Sequence, residues 1–548
     1  MKVAGKFAVA LSVLLGVFVF TGSASATTFC VPGYFDGCPD NGSNVVPSGA
    51  GAGEKLENAL SQNGSDGSPD TVYLDSGTYV DTDSLKAGGS DGLTVIGNGR
   101  DRSFITSSVA GNYYVVDLNF GNSRHITMKD LAIVIPEDFP NDNGPGSAVQ
   151  SKGDDFDSVD VINENNTGTV YLSSGFANVM GGGSFTDIRL FGRNGARFGS
   201  AINVACNYPG QVTINGAGVS DSQYGVLAPC STVPVSIDRA TFSGADSALQ
   251  PSNGAQLTAS NVLIESGDLS PVMVYNAKGA GTTTLDLDHA TVVATGDASM
   301  PAIRANVANV VAATDPIQVN VSNSIILGFD DTWEMIAPTD PAKGDVGLSV
   351  SYSDFSPVGV VTGDSSLDTA TGNIFDSPGF TGITDYHLTP GAPTVDAGDP
   401  SAAGPLFDLE GNGRPIDGDF DSVAVPDMGA YELNPPPPNC PVDPSACAPK
   451  LRKVKFRYRF GKGGTLRYRV SIKAKVIAVF RPVPKKAKSK RMTVRILKQG
   501  KQGANVIKLG KRLLKPGRYR LAIRALNKTG DSSNVVVRKV QVRKAGRR

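Results

Sequence analysis

The chain has 548 residues, with 51 Lys or Arg against 52 Asp or Glu and only three His, for a formal net charge of −1. That length exceeds what one ordinary core serves, unless the fold grows along a single axis. No stretch after the first 26 residues is apolar enough to span a bilayer, and three His with no Cys-x-x-Cys spacing argue against a zinc site.

Residues 1–26 read as a secretory signal. Lys2 and Lys6 lead, Phe7 to Phe20 is an apolar run of 14 residues, and Ala24-Ser25-Ala26 offers a small-residue cleavage site. A spanning helix needs roughly 20 apolar residues, so the expectation is an exported, soluble protein with no transmembrane segment after cleavage; an uncleaved anchor is the competing reading. Six cysteines suit an oxidising compartment. Their positions suggest the pairs Cys30–Cys38, Cys206–Cys230 and Cys440–Cys447, with other connectivities open.

Leu56, Ala59 and Leu60 fall at helical spacing within Gly53 to Asn63, ahead of strand-like Val72-Tyr73-Leu74, Gly77-Thr78-Tyr79 and Leu93-Thr94-Val95-Ile96-Gly97. A hydrophobic signature then recurs seven times: an apolar residue, another two positions on, a third five positions later. The instances are Ile126/Met128/Ile133, Val212/Ile214/Val219, Val235/Ile237/Phe242, Leu257/Ala259/Ile264, Leu285/Leu287/Val292, Val319/Val321/Ile326 and Leu348/Val350/Phe355. Starts from Val212 onward are spaced 23, 22, 28, 34 and 29 residues. Units of that length built from short strands bury their apolar face only by stacking on a neighbour. The spacing predicts a parallel β-solenoid, its open end covered by the short helix.

The helix-then-strand opening resembles the start of right-handed parallel β-helices of the pectin-lyase-like class. Asn373-Ile374-Phe375-Asp376-Ser377-Pro378-Gly379-Phe380, Asp385-Tyr386-His387-Leu388, Pro390-Gly391-Ala392-Pro393, Val395-Asp396-Ala397-Gly398 and Asp427-Met428-Gly429-Ala430-Tyr431-Glu432 resemble the choice-of-anchor Q segment that closes secreted bacterial β-helix proteins. Together these motifs cover residues from about 45 to 433 and imply a fold and an extracellular setting without fixing one activity.

Polysaccharide lyase or glycosidase chemistry is the enzymatic reading of such a scaffold. Gly153-Asp154-Asp155 resembles polygalacturonases, with Asp154 and Asp155 as a candidate acid and base. Their Asn-Thr-Asp, Gly-His-Gly and Arg-Ile-Lys motifs have no counterpart, and a solvated acidic turn is the plainer reading. Asp288-His289 resembles pectate lyases without their Arg-x-Pro-x-x-Arg motif, which leaves His289 a structural role. Gly181-Gly182-Gly183 lacks a following Lys-Ser/Thr and reads as a loop. The only Trp lies in Phe329-Asp330-Asp331-Thr332-Trp333-Glu334, where an aromatic face beside Asp330, Asp331 and Glu334 can hold a sugar, with Asp330 and Asp331 as further acid–base candidates of the enzymatic reading; packing is the alternative for Trp333. Asp408, Glu410 and Asn412, followed by Asp417, Asp419 and Asp421, form a candidate Ca²⁺ loop, against a turn tied by Arg414 to a carboxylate.

Pro435 to Pro438 open a breaker-rich linker over 434–449. Beyond it, residues 450–548 hold 34 Lys or Arg and one acidic residue, Asp531, whereas residues 1–449 hold 17 basic and 51 acidic. Val454, Phe456, Tyr458 and Phe460 alternate with Lys455, Arg457 and Arg459. Leu466, Tyr468 and Val470 alternate with Arg467 and Arg469, and Tyr519, Leu521 and Ile523 with Arg518, Arg520 and Arg524. Period two predicts a small antiparallel β-sandwich. Leu514-Lys515-Pro516-Gly517-Arg518-Tyr519 with Asn527-Lys528-Thr529-Gly530-Asp531 resembles the immunoglobulin-like C-terminal modules of secreted actinobacterial proteins.

The expected fold is therefore all-β: signal peptide 1–26, right-handed parallel β-helix 27–433 with its closing segment 373–433, linker 434–449 and basic sandwich 450–548. One-sided charge of this size predicts contact with a polyanion through Arg457, Arg459, Arg467, Arg469, Arg518, Arg520 and Arg524, a plain solvated surface being the alternative. Export favours a cell-envelope polymer or acidic polysaccharide over nucleic acid, and the protein's own acidic part is a further partner. The setting expected is extracellular, at a bacterial cell surface.

Overall fold

The computed structural model describes residues 26–39, 44–61, 68–82, 84–87, 91–108, 114–118, 125–137, 139, 146–165, 174–180, 182–206, 209–277, 281–307, 315–401, 404–418, 423–433, 449–471, 473–483, 494–526, 533 and 536–544. The signal segment, apart from Ala26, and the Cys440–Cys447 pair, with most of the linker, lie outside the described residues. The chain forms two units that divide at Leu433/Asn434.

In the first unit, parallel strands wind into a solenoid with three stacks. Phe29, Val72, Val95, Met128, Phe156, Phe185, Ile214, Ile237, Ala259, Leu287, Val321 and Val350 form one unbroken in-register column in the first stack. Ile105, Ile133, Val161, Leu190, Val219, Phe242, Ile264, Val292 and Ile326 form the corresponding column of the second. The third runs from Leu85 and Val116 through Leu249, Val272 and Ile303 to Trp333 and Gly359. Apart from the exposed Gly359 these columns are buried and share one core.

The two-then-five spacing has a geometric cause. Two alternating residues face inward, a single left-handed residue turns the chain, and the next strand begins. Asp130, Asp187, Arg239, Asn261, His289, Asn323 and Tyr352 occupy that corner with φ of 53°, 48°, 57°, 51°, 52°, 49° and 47°. Short polar side chains tolerate this region best, which fits the Asp and Asn among them. Two coils escaped the sequence pattern because Asp154 and Gly183 occupy the first inward position, aligned between Ile126 and Val212.

The helix Ala52–Ser61 buries Leu56, Ala59 and Leu60 in the same core. A β-carbon at Gly53 would stand 1.8 Å from the Val80 carbonyl oxygen, so only glycine permits this approach. Two strands among the described residues precede the helix: Thr28–Val31 pairs with Asn44–Val45 and with Asp70–Leu74, so a first rung lies ahead of the helix expected to open the solenoid. Cys30 and Cys38 are bonded, with α-carbons 6.0 Å apart.

Ile374 adds one last parallel bridge to the second stack, beside Asp354. The described residues from there to Leu433 run back along the flank and cover the outer side of that stack. Tyr386 packs on Leu263 and Val293, while Leu388, Val395, Met428 and Leu433 cluster with Ile325. Tyr386 Oη donates to Glu265 at 3.0 Å, Ala430 N to Thr291 Oγ1 at 2.9 Å, and Asp399 N to Asn323 Oδ1 at 2.7 Å.

The second unit is a small β-sandwich. Gly463–Val470 pairs with Leu451–Phe460 and with Gly503–Leu509, giving a three-stranded antiparallel half. Ala474–Pro482 pairs with Val494–Gly500 and Gly517–Leu526, which pairs with Val536–Lys544. A short parallel contact, Arg459 to Arg543 and Phe460 to Lys544, joins the halves. Leu466, Tyr468, Phe480, Leu521 and Ile523 meet in one core between them. Tyr519 Oη donates to the Lys515 carbonyl at 2.9 Å, the corner tie that immunoglobulin-type sandwiches use at the start of a late strand.

Candidate functional site

The seven arginines expected to meet a polyanion are all exposed, but they divide between two faces. On the outer face of the three-stranded half, Arg452 stands directly opposite Arg469, Lys455 opposite Arg467, and Arg457 shares a row with Thr465 and Lys508. Arg459 ends this file of cations opposite Gly463. Like charges placed directly opposite destabilise a sheet pair. The module's single side-chain carboxylate, Asp531, lies outside the described residues. A hollow of about 510 Å³ bordered by Lys450, Arg452, Lys453 and Arg469 opens beside these rows. The outer face of the other half carries Arg520 opposite Lys539, Arg518 opposite Gln541 and Arg524 opposite Ile477. Apolar side chains interrupt it, Leu497 at 48 % and Val537 at 37 % exposure. Both outer faces thus carry cations in register, the second also through Arg481 opposite Arg520, and Val506, 51 % exposed, lies beside Arg467 on the first.

On the solenoid the two neighbouring carboxylates Asp154 and Asp155 point in opposite directions, as alternation along a strand requires. Asp154 is wholly buried and accepts from Ile126 N at 3.0 Å, Lys152 N at 2.8 Å and Ser151 Oγ at 3.0 Å. Burial pushes its carboxyl above the ordinary range, and these donors oppose that shift. Asp155 faces out and meets His125 Nε2 at 2.8 Å and Ser184. The two side chains thus lie on opposite sides of the strand, one in the core and one beside His125 at the surface.

Trp333 belongs to the third stack, 3 % exposed, between Ile303 and Gly359. A β-carbon on Gly359 would approach its indole to 2.4 Å, so the glycine makes room for the ring. Its indole presents no face to a sugar; the packing alternative describes it. Glu334 is held by Arg304 at 2.5 Å. Asp330 and Asp331 lie at the coil edge, where the Asp331 carbonyl accepts from Ala302 N at 3.1 Å.

The same loop nonetheless borders a cavity of about 190 Å³, lined by Phe329, Thr332, Asp354, Phe355, Pro357, Phe375 and Asp376. Phe355 packs edge-on against Trp333 at 5.3 Å and against Phe375 at 5.2 Å. Asp354 is 3 % exposed; its Oδ1 accepts from Asp376 N at 3.2 Å, and its Oδ2 has no hydrogen-bond partner. Burial lifts this carboxyl to about 7; the bond from Asp376 N opposes the rise and the Asp376 charge adds to it. Sequence reading missed Asp354. The available signal was a carboxylate directly before Phe355, where the preceding coil has Ile325.

The three proposed calcium ligands meet at the Asn412 amide, whose Nδ2 donates to Asp408 Oδ2 at 3.1 Å and to Glu410 Oε2 at 3.5 Å. Asp408 is buried and accepts from Glu410 N, Asn412 N, Asn412 Nδ2 and Glu432 N at 3.0, 2.7, 3.1 and 3.1 Å, so its lone pairs are taken by N–H donors. Glu410 turns to His387 Nε2 at 3.2 Å, and Arg414 ties the turn to Glu432 at 3.4 Å and to the carbonyls of Asp427 and Gly429 at 2.9 and 3.1 Å. Among the described residues no group of three His, Cys, Asp or Glu is placed to hold a metal ion. His289 is a buried corner residue, 3.0 Å from Asp288, and burial drives its imidazole below its usual value. Cys206 and Cys230 are not bridged to each other, in contrast to the expected pair. Among the described residues no helix is long and apolar enough to cross a membrane.

No protein-family model and no curated protein matches the chain in sequence. Functional inference therefore rests on geometry.

Proposed function

We propose that the protein is an exported scaffold of a bacterial cell surface, whose basic sandwich holds it on anionic envelope polymer while the solenoid presents loops to a glycan or partner. The carrying observation is the file of cations on the three-stranded face, where Arg452 opposes Arg469 and Lys455 opposes Arg467. A chain gains nothing in stability from such rows, whereas an extended polyanion laid across them relieves the repulsion. The three in-register stacks and the motifs of residues 373–432 support a right-handed helix of pectin-lyase-like type with a choice-of-anchor Q-like segment. The strand order and the Tyr519 corner support an immunoglobulin-like module. The opposite orientations of Asp154 and Asp155 favour the scaffold over the alternative, a polysaccharide lyase or glycoside hydrolase.

The test is retention of the full chain on anionic envelope polymer as salt rises. Screening shortens from about 10 Å at 0.1 M to about 3 Å at 1 M, so release should be steep, and the double variant R467E/R469E should elute earlier. Salt-independent retention would refute the proposal.

A further inference from the structure

The cavity beside the last coils has two properties that occur together nowhere else among the described features of the solenoid. Its walls are apolar rings, Phe329, Phe355 and Phe375, of which Phe375 is 56 % exposed. Its floor holds Asp354, 97 % shielded from solvent yet with Oδ2 unpartnered. A buried acceptor left without a donor costs free energy, so a group bringing an O–H into this space gains both that bond and the ring contacts.

We propose that this cavity is a subsite for one neutral hexopyranose ring, its C–H surface against Phe355 and Phe375 and one hydroxyl donating to Asp354 Oδ2. Size agrees. At about 190 Å³ the cavity is smaller than the roughly 300–1,000 Å³ of a drug-sized ligand pocket, the scale of one sugar ring. Charge agrees as well. Asp376 and, above about pH 7, an ionised Asp354 line the cavity, so a uronate carboxylate placed there meets like charge in a poorly solvated site. An apolar ligand would fill the rings' space and leave Oδ2 unsatisfied. The site thus takes a terminal or branching neutral sugar, and an acidic chain passing by would be gripped elsewhere. The inference deepens the solenoid half of the proposed function and is independent of the cationic module.

The probes are neutral methyl hexopyranosides and one methyl hexopyranosiduronate, offered to the full chain. Saturation transfer to ring protons and the emission of Trp333, which packs on Phe355, are the readouts. At least one neutral glycoside should bind and shift the Trp333 emission, the uronoside should bind about tenfold more weakly, and D354N and F375A should each weaken binding about tenfold. Should D354N fail to fold, F375A, altering a ring at the surface, carries the test. Absence of binding by every neutral glycoside, or binding unchanged in both variants, would overturn the proposal. Salt-sensitive retention on envelope polymer should persist in both variants; its loss in wild type with sugar binding intact would strike the module's role alone.

Discussion

Asp354→Asn isolates a single proton in the stability of the solenoid. The folded chain holds this carboxyl at about 7 against an ordinary 3.8, so between those values the folded state binds a proton that the unfolded state has released. Stability contributed by that proton is complete below pH 4 and falls as pH rises to 7, then stays flat. Each unit of offset is worth about 1.4 kcal/mol, and two of the three units lie between pH 5 and pH 7. Wild type should therefore lose on the order of 3 kcal/mol between pH 5 and pH 8 through this residue. Asparagine has no proton to lose, so D354N should lack that share of the pH slope. Comparing variant with wild type at both pH values cancels the fixed cost of the new amide. Urea unfolding followed by tryptophan emission suits the purpose, because the only Trp, Trp333, is buried in the adjoining coil and packs on Phe355. Buried Asp427 and Glu432 are also held above their ordinary range, chiefly by desolvation; they tilt both proteins equally. Parallel pH profiles for wild type and D354N would refute the reasoning.

Arg467→Glu replaces a repulsive cross-strand pair with an attractive one opposite Lys455; the module should gain roughly 0.5 kcal/mol in thermal unfolding while its retention on anionic polymer falls. Unchanged retention in a variant that folds would contradict a binding role for that row. Asp408→Ala strips the acceptor from four N–H donors, which should cost about 3 kcal/mol or more and loosen residues 373–433 in hydrogen exchange. Added Ca²⁺ or chelator should leave the wild-type melting curve unmoved. Tyr519→Phe removes the bond to the Lys515 carbonyl and should cost about 1 kcal/mol in denaturant unfolding of the module.

The solenoid was legible because its inward positions are apolar at fixed offsets from a corner, and Ile126, Val212, Val235 and Leu257 obey that rule. It failed at Asp154, whose carboxylate accepts Ile126 N, Lys152 N and Ser151 Oγ at an inward position, and at Gly183, where a β-carbon would stand 2.6 Å from the Asp154 carbonyl oxygen. Trp333 read as a loop residue because nothing in the sequence marks the third stack, whose members are spaced irregularly by loops of varying length. Asp354 and Asp376 meet because coiling brings residues one turn apart into contact, information that resides in register. The even spread of Lys and Arg over the basic strands revealed alternation but not which of two outer faces each arginine occupies.

The returning segment also bears on how this protein's length can vary over evolution. Its anchors at Glu265, Thr291 and Asn323 sit on three successive coils. Duplicating a coil between them would displace one anchor by about 4.8 Å, beyond hydrogen-bond reach. Before Glu265 the ties across coils are arginine ion pairs, Arg100 to Asp160 and Asp187 and Arg197 to Asp246, and not contacts of the returning segment. Related chains should accordingly keep the last coils constant.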